Sequence, residues 1–205
     1  MEKLDYKKLY RDLYLPKREA SAVTVPAIPF FAVQGTGLPG SGPFQSAIAC
    51  LYSFAFTIKM SKMSGSCPPG YFEYVMPPLE ALWGTQAHPF SYEDKTTWVW
   101  TMLLRQPDFV TPGLVEETRE LLRKKKPDLA VDAVSFKTFE EGPCAQILHI
   151  GRYEDEAATL RLLEEYLHRQ GLVRRGLHHE IYLSDPRRTK PEKCKTILRL
   201  PVEHS

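Results

Sequence analysis

The sequence has no CxxC pair, no apolar run long enough to cross a bilayer and almost no excess of either charge. Its four cysteines, Cys50, Cys67, Cys144 and Cys194, are scattered along 205 residues. Neither a zinc knuckle nor a redox dithiol is indicated. They are expected to be small core residues, reduced, in a cytoplasmic setting. The N-terminus, Met1-Glu2-Lys3-Leu4-Asp5-Tyr6-Lys7-Lys8, is too polar for a signal peptide, and nothing points to a membrane partner. Lys plus Arg number 27 against 25 for Asp plus Glu, a net charge of +2, so no electrostatic ground exists to expect nucleic acid. The one dense basic run, Arg123-Lys124-Lys125-Lys126, closes a predicted helix, where cations complement the carbonyl end. A GxSxG elbow is missing too; Gly65-Ser66-Cys67 lacks the second glycine.

What the sequence does contain is a pattern used twice. Phe30-Phe31-Ala32-Val33-Gln34-Gly35 leads into helix-like spacing at Phe44, Ile48, Leu51, Tyr52 and Ala55, then into strand-like Tyr71 to Pro77. Gln146 to Gly151 leads into a second helix carrying Ala157, Leu160, Leu163 and Leu167, ended by Gly171, and then into His179 to Pro186. Each half closes on a further apolar strand, Thr96 to Leu104 and Lys195 to Val202. The reading is one α+β domain over residues 1–205 built from tandem, pseudo-twofold βαββ repeats with a central ligand cleft. The first half-repeat spans 22–106 and the second 133–203. A linking helix over 111–126 is predicted, started by Thr111-Pro112. A hydrophobic content of 43% suffices for such a core. Pro26 and Pro29 delay the first regular strand to near Phe30, and Lys3 to Lys17 are expected to form an arm along the body.

Two motifs fail on inspection. Gly35-Thr36-Gly37-Leu38-Pro39-Gly40 spells a dinucleotide fingerprint, but Pro39 and Pro43 remove donors the phosphates would need. Lys59, Met60 and Lys62 stand where a ribose-binding acid belongs, so no cofactor is expected. His178-His179-Glu180 suggests a metal, yet adjacent strand residues point to opposite faces and further ligands are lacking. No metal is expected.

The same alternation makes Glu180 the most informative residue. His178, Glu180 and Tyr182 share one strand face; Tyr71, Glu73 and Val75 share one face in the first half, as do Trp98, Trp100 and Met102. Glu73 and Glu180 are read as one carboxylate from each half. Tyr71, Glu73, Trp98, Trp100, Glu180 and Tyr182 are thus the candidate ligand-binding set, an aromatic cleft suited to hydrophobic, aromatic or cationic small molecules.

The chain also resembles a known family. Asp5-Tyr6-Lys7-Lys8-Leu9-Tyr10, Phe56-Thr57-Ile58-Lys59-Met60, Gly70-Tyr71-Phe72-Glu73-Tyr74, Pro77-Pro78-Leu79-Glu80, Gln106-Pro107-Asp108-Phe109-Val110 and His178 to Pro186 resemble the GyrI-like small-molecule-binding domains. These are related to the effector-binding domains of multidrug-responsive transcription activators. The resemblance implies SH2-like repeats and a carboxylate among aromatics at Glu180. It also implies a free-standing binder or enzyme rather than a regulator. Some stand-alone members hydrolyse the cyclopropane ring of DNA-alkylating natural products. On that reading Glu180 is the catalytic base, its pKa raised in a partly dry pocket, with Tyr71 or Tyr182 orienting water or the developing anion.

Overall fold

The structure is a computed structural model that describes residues 3–65, 67–85 and 98–205. In chain order its elements are α1 (Tyr6–Leu9), α2 (Arg11–Tyr14), β1 (Ser21–Val25), β2 (Ile28–Thr36), α3 (Gly42–Lys59), β3 (Leu79–Thr85) and β4 (Trp98–Arg105). There follow α4 (Pro112–Lys125), β5 (Ser135–Phe139), β6 (Gly142–Ile150), α5 (Glu156–Gln170), β7 (Leu172–Arg174), β8 (His178–Tyr182) and β9 (Lys195–His204). The fold is α+β, and its elements fall into two compact units.

Unit one holds Ile28–Pro77 and Gly84–Phe139, with the residues up to Asp5. Its strands run β5-β2-β4, all antiparallel, with Gly35 directly opposite Trp100. α3 buries Ala47, Leu51, Phe54, Ala55 and Ile58, the spacing of a helix stripe, and Phe54 meets Phe31 edge-on at 5.6 Å. α4 begins as its sequence predicts: Thr111 Oγ1 accepts from the Leu114 N–H at 3.2 Å and Pro112 follows. The first helical turn thereby loses an orphan donor.

The expected strand over 71–77 is not there. Only Tyr74 bridges, in parallel, to Leu4. Pro68, Pro69 and a left-handed Gly70 (φ 76°) turn the chain on one side. Pro77 and Pro78 on the other lack the N–H groups a ladder needs. Regular strand resumes two residues after Pro77, at Leu79. The expected strand from Thr96 begins outside the described residues at Thr96 and Thr97 and is regular from Trp98. β1 and β5 are strands the sequence pattern did not single out; β1 lies just ahead of Pro26.

Unit two holds Tyr6–Ala27, Pro78–Trp83 and Glu140–Ser205. Its strands run β1-β6-β9-β8-β3, with β7 on the C-terminal stretch of β9. α5 covers β6 with Leu160, Leu163 and Leu167 buried, and ends at Gly171 in the left-handed conformation (φ 64°). The arm is anchored here, Leu13 and Tyr14 being buried. The Leu148 N–H donates to the Lys17 carbonyl at 3.0 Å.

Candidate functional site

Glu180 lies in the middle of β8, beside Ala81 on β3 and Leu198 on β9. It is 8% exposed. Alternation brings His178 and Tyr182 to its face, as the sequence predicts. His178 Nε2 lies 3.1 Å from Oε1, and the Tyr182 hydroxyl donates to Oε2 at 2.7 Å. Trp83 Nε1 donates in turn to the Tyr182 oxygen at 3.2 Å, and Tyr153 meets the Tyr182 ring edge-on at 6.0 Å. These contacts on both carboxylate oxygens restrict its rotamer. Burial, and then the charge of Glu180, hold the Tyr182 hydroxyl well above the ordinary tyrosine pKa, so it stays a donor.

A second carboxyl reaches this group from the first turn of α5. Glu156 is 3% exposed and makes side-chain hydrogen bonds to Thr196 and Glu180. Burial first, and the Glu180 charge second, push its pKa up to about 10. Both effects favour the protonated form of Glu156.

The opposite face of β8 carries a buried ion network. His179 Nδ1 lies 2.9 Å from Glu141 Oε2 and its Nε2 lies 3.0 Å from Glu80 Oε2. Arg199 Nη1 reaches the same Glu141 oxygen at 3.2 Å, and its Nη2 donates to the Leu13 carbonyl at 2.7 Å. Tyr14 donates to Glu80 at 3.2 Å. Burial alone would lower the His179 pKa, but Glu141 and Glu80 outweigh it and raise it to about 9. Burial alone would raise Glu141; His179 and Arg199 bring it down to about 2. The two adjacent histidines therefore serve different faces. Among the described residues no group of three or more His, Cys, Asp or Glu could hold a metal.

In unit one the candidates fall into two groups. Trp98 and Trp100 are buried on β4, Trp100 packed edge-on against Phe44 at 5.4 Å. Tyr71 and Glu73 lie in the irregular stretch ahead of β3 rather than on a strand. The Tyr71 hydroxyl donates to the Lys59 carbonyl at 2.8 Å and reaches Glu73 at 3.3 Å. Glu73 is ion-paired with Lys62, whose hydrogen bond holds its carboxyl below the usual range. The pairing of Glu73 with Glu180 as strand equivalents is thus corrected: the glutamate that β3 carries is Glu80, whose charge is turned to His179.

Sequence reading missed Trp83, Glu156, Glu80 and Glu141. Trp83 and Glu80 sit on a strand masked by the proline-flanked segment before it. Glu156, in Glu154-Asp155-Glu156, has the signature of an ordinary acidic helix start, and only the packing reveals its burial.

A GyrI-like small molecule binding domain model matches residues 18–203. An uncharacterized conserved protein from Listeria innocua is 44% identical over 98% of this chain and 100% of its own, with a TM-score of 0.94. A hydrolase from the same organism is 43% identical with the same coverage and a TM-score of 0.91. The C-terminal domain of EcmrR shares the fold at 13% identity and a TM-score of 0.53, over 91% of this chain and 98% of its own. No curated protein matches. No helix among the described residues is long and apolar enough to cross a membrane. The family match covers nearly the whole chain and the relatives align over their full length, so this chain belongs to the GyrI-like small-molecule-binding domain family.

Proposed function

We propose that this chain is a hydrolase of small, planar, strained electrophiles, with Glu180 as general base. The observation that carries this is the carboxylate itself: nearly buried, mid-strand, and oriented by Tyr182 and His178. The similarity to a hydrolase at 43% identity supports it. Activated cyclopropanes, the substrate class known from other members of the family, fit a site that offers a base and no covalent nucleophile. Water oxygen bonds to a ring methylene as the ring C–C bond breaks. The electron pair moves through the conjugated system to its carbonyl oxygen, which ends protonated from solvent. The water proton goes to Glu180. Tyr182 holds the base in line, and exclusion of bulk water from so buried a carboxylate strengthens the interaction. Tyr71, named from sequence as a further orienting hydroxyl, is a weaker candidate because it is already bonded to Lys59.

A second reading, binding of cationic aromatic molecules without turnover, is favoured by Trp83, Tyr153 and Tyr182 around the carboxylate. In unit one, Trp98, Trp100, Tyr71 and Glu73 are proposed as ligand-binding residues of that unit. Four unpaired cysteines favour a reducing, cytoplasmic setting for either activity.

The test is incubation with a cyclopropane-bearing alkylator, following ring-opened product by mass spectrometry. The wild type should exceed buffer, and Glu180→Gln should slow it by ~10²-fold or more, the usual worth of a positioned base. Tight binding at the buffer rate would leave the binder and sink the hydrolase.

A further inference from the structure

The Glu156 carboxyl belongs to neither role assigned above, and its position is unusual. The first turn of a helix normally favours a glutamate anion. Here the side chain is turned inward instead, almost fully buried, and hydrogen-bonded to both Glu180 and Thr196. Thr196 is the β9 partner of Tyr182, so the contact sits beside the phenol that grips Glu180. Two carboxyl groups in hydrogen-bond contact cannot both be charged without strong repulsion, and one proton between them turns repulsion into a hydrogen bond. The other titratable groups acting on Glu156 are Glu154 in the turn before α5, Tyr153 beside it and Tyr182 on β8. Glu154 is acidic, and the two phenols are held protonated by burial. Glu180 itself is bounded by His178 and Tyr182. Oε1 of Glu156 has no hydrogen-bond partner.

We propose that Glu156 and Glu180 form a carboxyl pair sharing one proton, held on Glu156, which orients Glu180 and is released when a cation comes to lie against Glu180. Glu156 is thereby a positioning residue, and it sets the charge the site presents: one negative charge when empty, up to two around a cationic ligand. The charge assignment follows from the burial of Glu156 and its contacts to Glu180 and Thr196; the link to a ligand rests on the reading of Glu180 as the ligand's carboxylate.

The free protein tests the pair without any ligand. Infrared difference spectroscopy or carbon-detected NMR of labelled glutamate should show a protonated carboxyl at pH 8 in the wild type, absent in Glu156→Gln. In Glu180→Gln its titration midpoint should fall by about one pH unit or more, the effect of removing an adjacent like charge. No protonated carboxyl at pH 8, or an unmoved midpoint in Glu180→Gln, overturns the pair. Ethidium, a planar permanent cation, tests the link. Calorimetry at pH 8 in phosphate and in Tris should show release of a fraction of a proton, up to about one, per ethidium bound. Glu156→Gln should bind with none released, and release unchanged in that variant refutes the link. If the carboxyl signal is found but ethidium does not bind, the pair stands, and the cation link fails together with the cationic-ligand reading of Glu180.

Discussion

Gly35 offers a demanding check on the packing of unit one. It is paired with Trp100 across β2 and β4, and the six-membered ring of the indole fills the space a side chain there would need. A Cβ added at Gly35 would fall 2.2, 2.4 and 2.8 Å from Cη2, Cζ2 and Cζ3 of Trp100. Carbon contacts are most favourable near 3.5–4.0 Å, so the overlap exceeds an ångström. The ring cannot swing freely, since Phe44 abuts it at 5.4 Å and its own backbone is locked in the ladder with β2. Gly35→Ala is therefore expected to cost about 2 kcal/mol, within the range for overpacking a close-packed core. For a chain of this size that is a fall in Tm of roughly 4–8 °C. The three clashing atoms all belong to the far ring of the indole, which leucine lacks. In a Trp100→Leu background the same Gly35→Ala change should cost less than about 0.5 kcal/mol, leaving a coupling energy above about 1 kcal/mol. Denaturant melts of the four proteins measure it. Equal costs in the two backgrounds would refute the placement of the ring.

Two further outcomes follow from the same kind of reasoning. His179 has its pKa raised in the folded state, so its contribution is fully present below about pH 6.5 and is lost as pH rises through about 9; urea melts across that window should show a loss on the order of 3 kcal/mol, which His179→Gln should abolish. Thr111→Ala should cost about 1 kcal/mol by removing the cap bonded to Leu114, whereas Thr111→Ser should cost less than half of that, both read from thermal melts.

Where the sequence carried local physical rules, it was legible. A hydroxyl before Pro112, a glycine after α5 and a stripe of apolar residues at helical spacing each fixed an element to within a few residues. Alternation along β8 was sufficient to place His178, Glu180 and Tyr182 on one face. The strand over 71–77 failed for a reason of the same kind. Its apolar and aromatic composition has strand character, but prolines at both ends deny it a ladder, and the regular strand starts only after them. The buried charges were illegible because burial is a tertiary property. Glu80 and Glu141 lie 61 residues apart in sequence and come together only because His179 stands between them.

The two faces of β8 illustrate why the dipeptide His178-His179 is not a redundancy. One face must present a carboxylate in a fixed direction, which needs a strand that cannot slide. A one-residue slip would exchange the faces and bury Glu180 among the ions. His179 prevents this by engaging a glutamate from β3 on one side, while the other side is held by Glu141, itself shared with Arg199 of β9. Any other register would leave a charge buried without its partner, at a cost of about 3–5 kcal/mol. The ion network thus supplies register as well as stability. His178, freed from that task, completes the grip on Glu180.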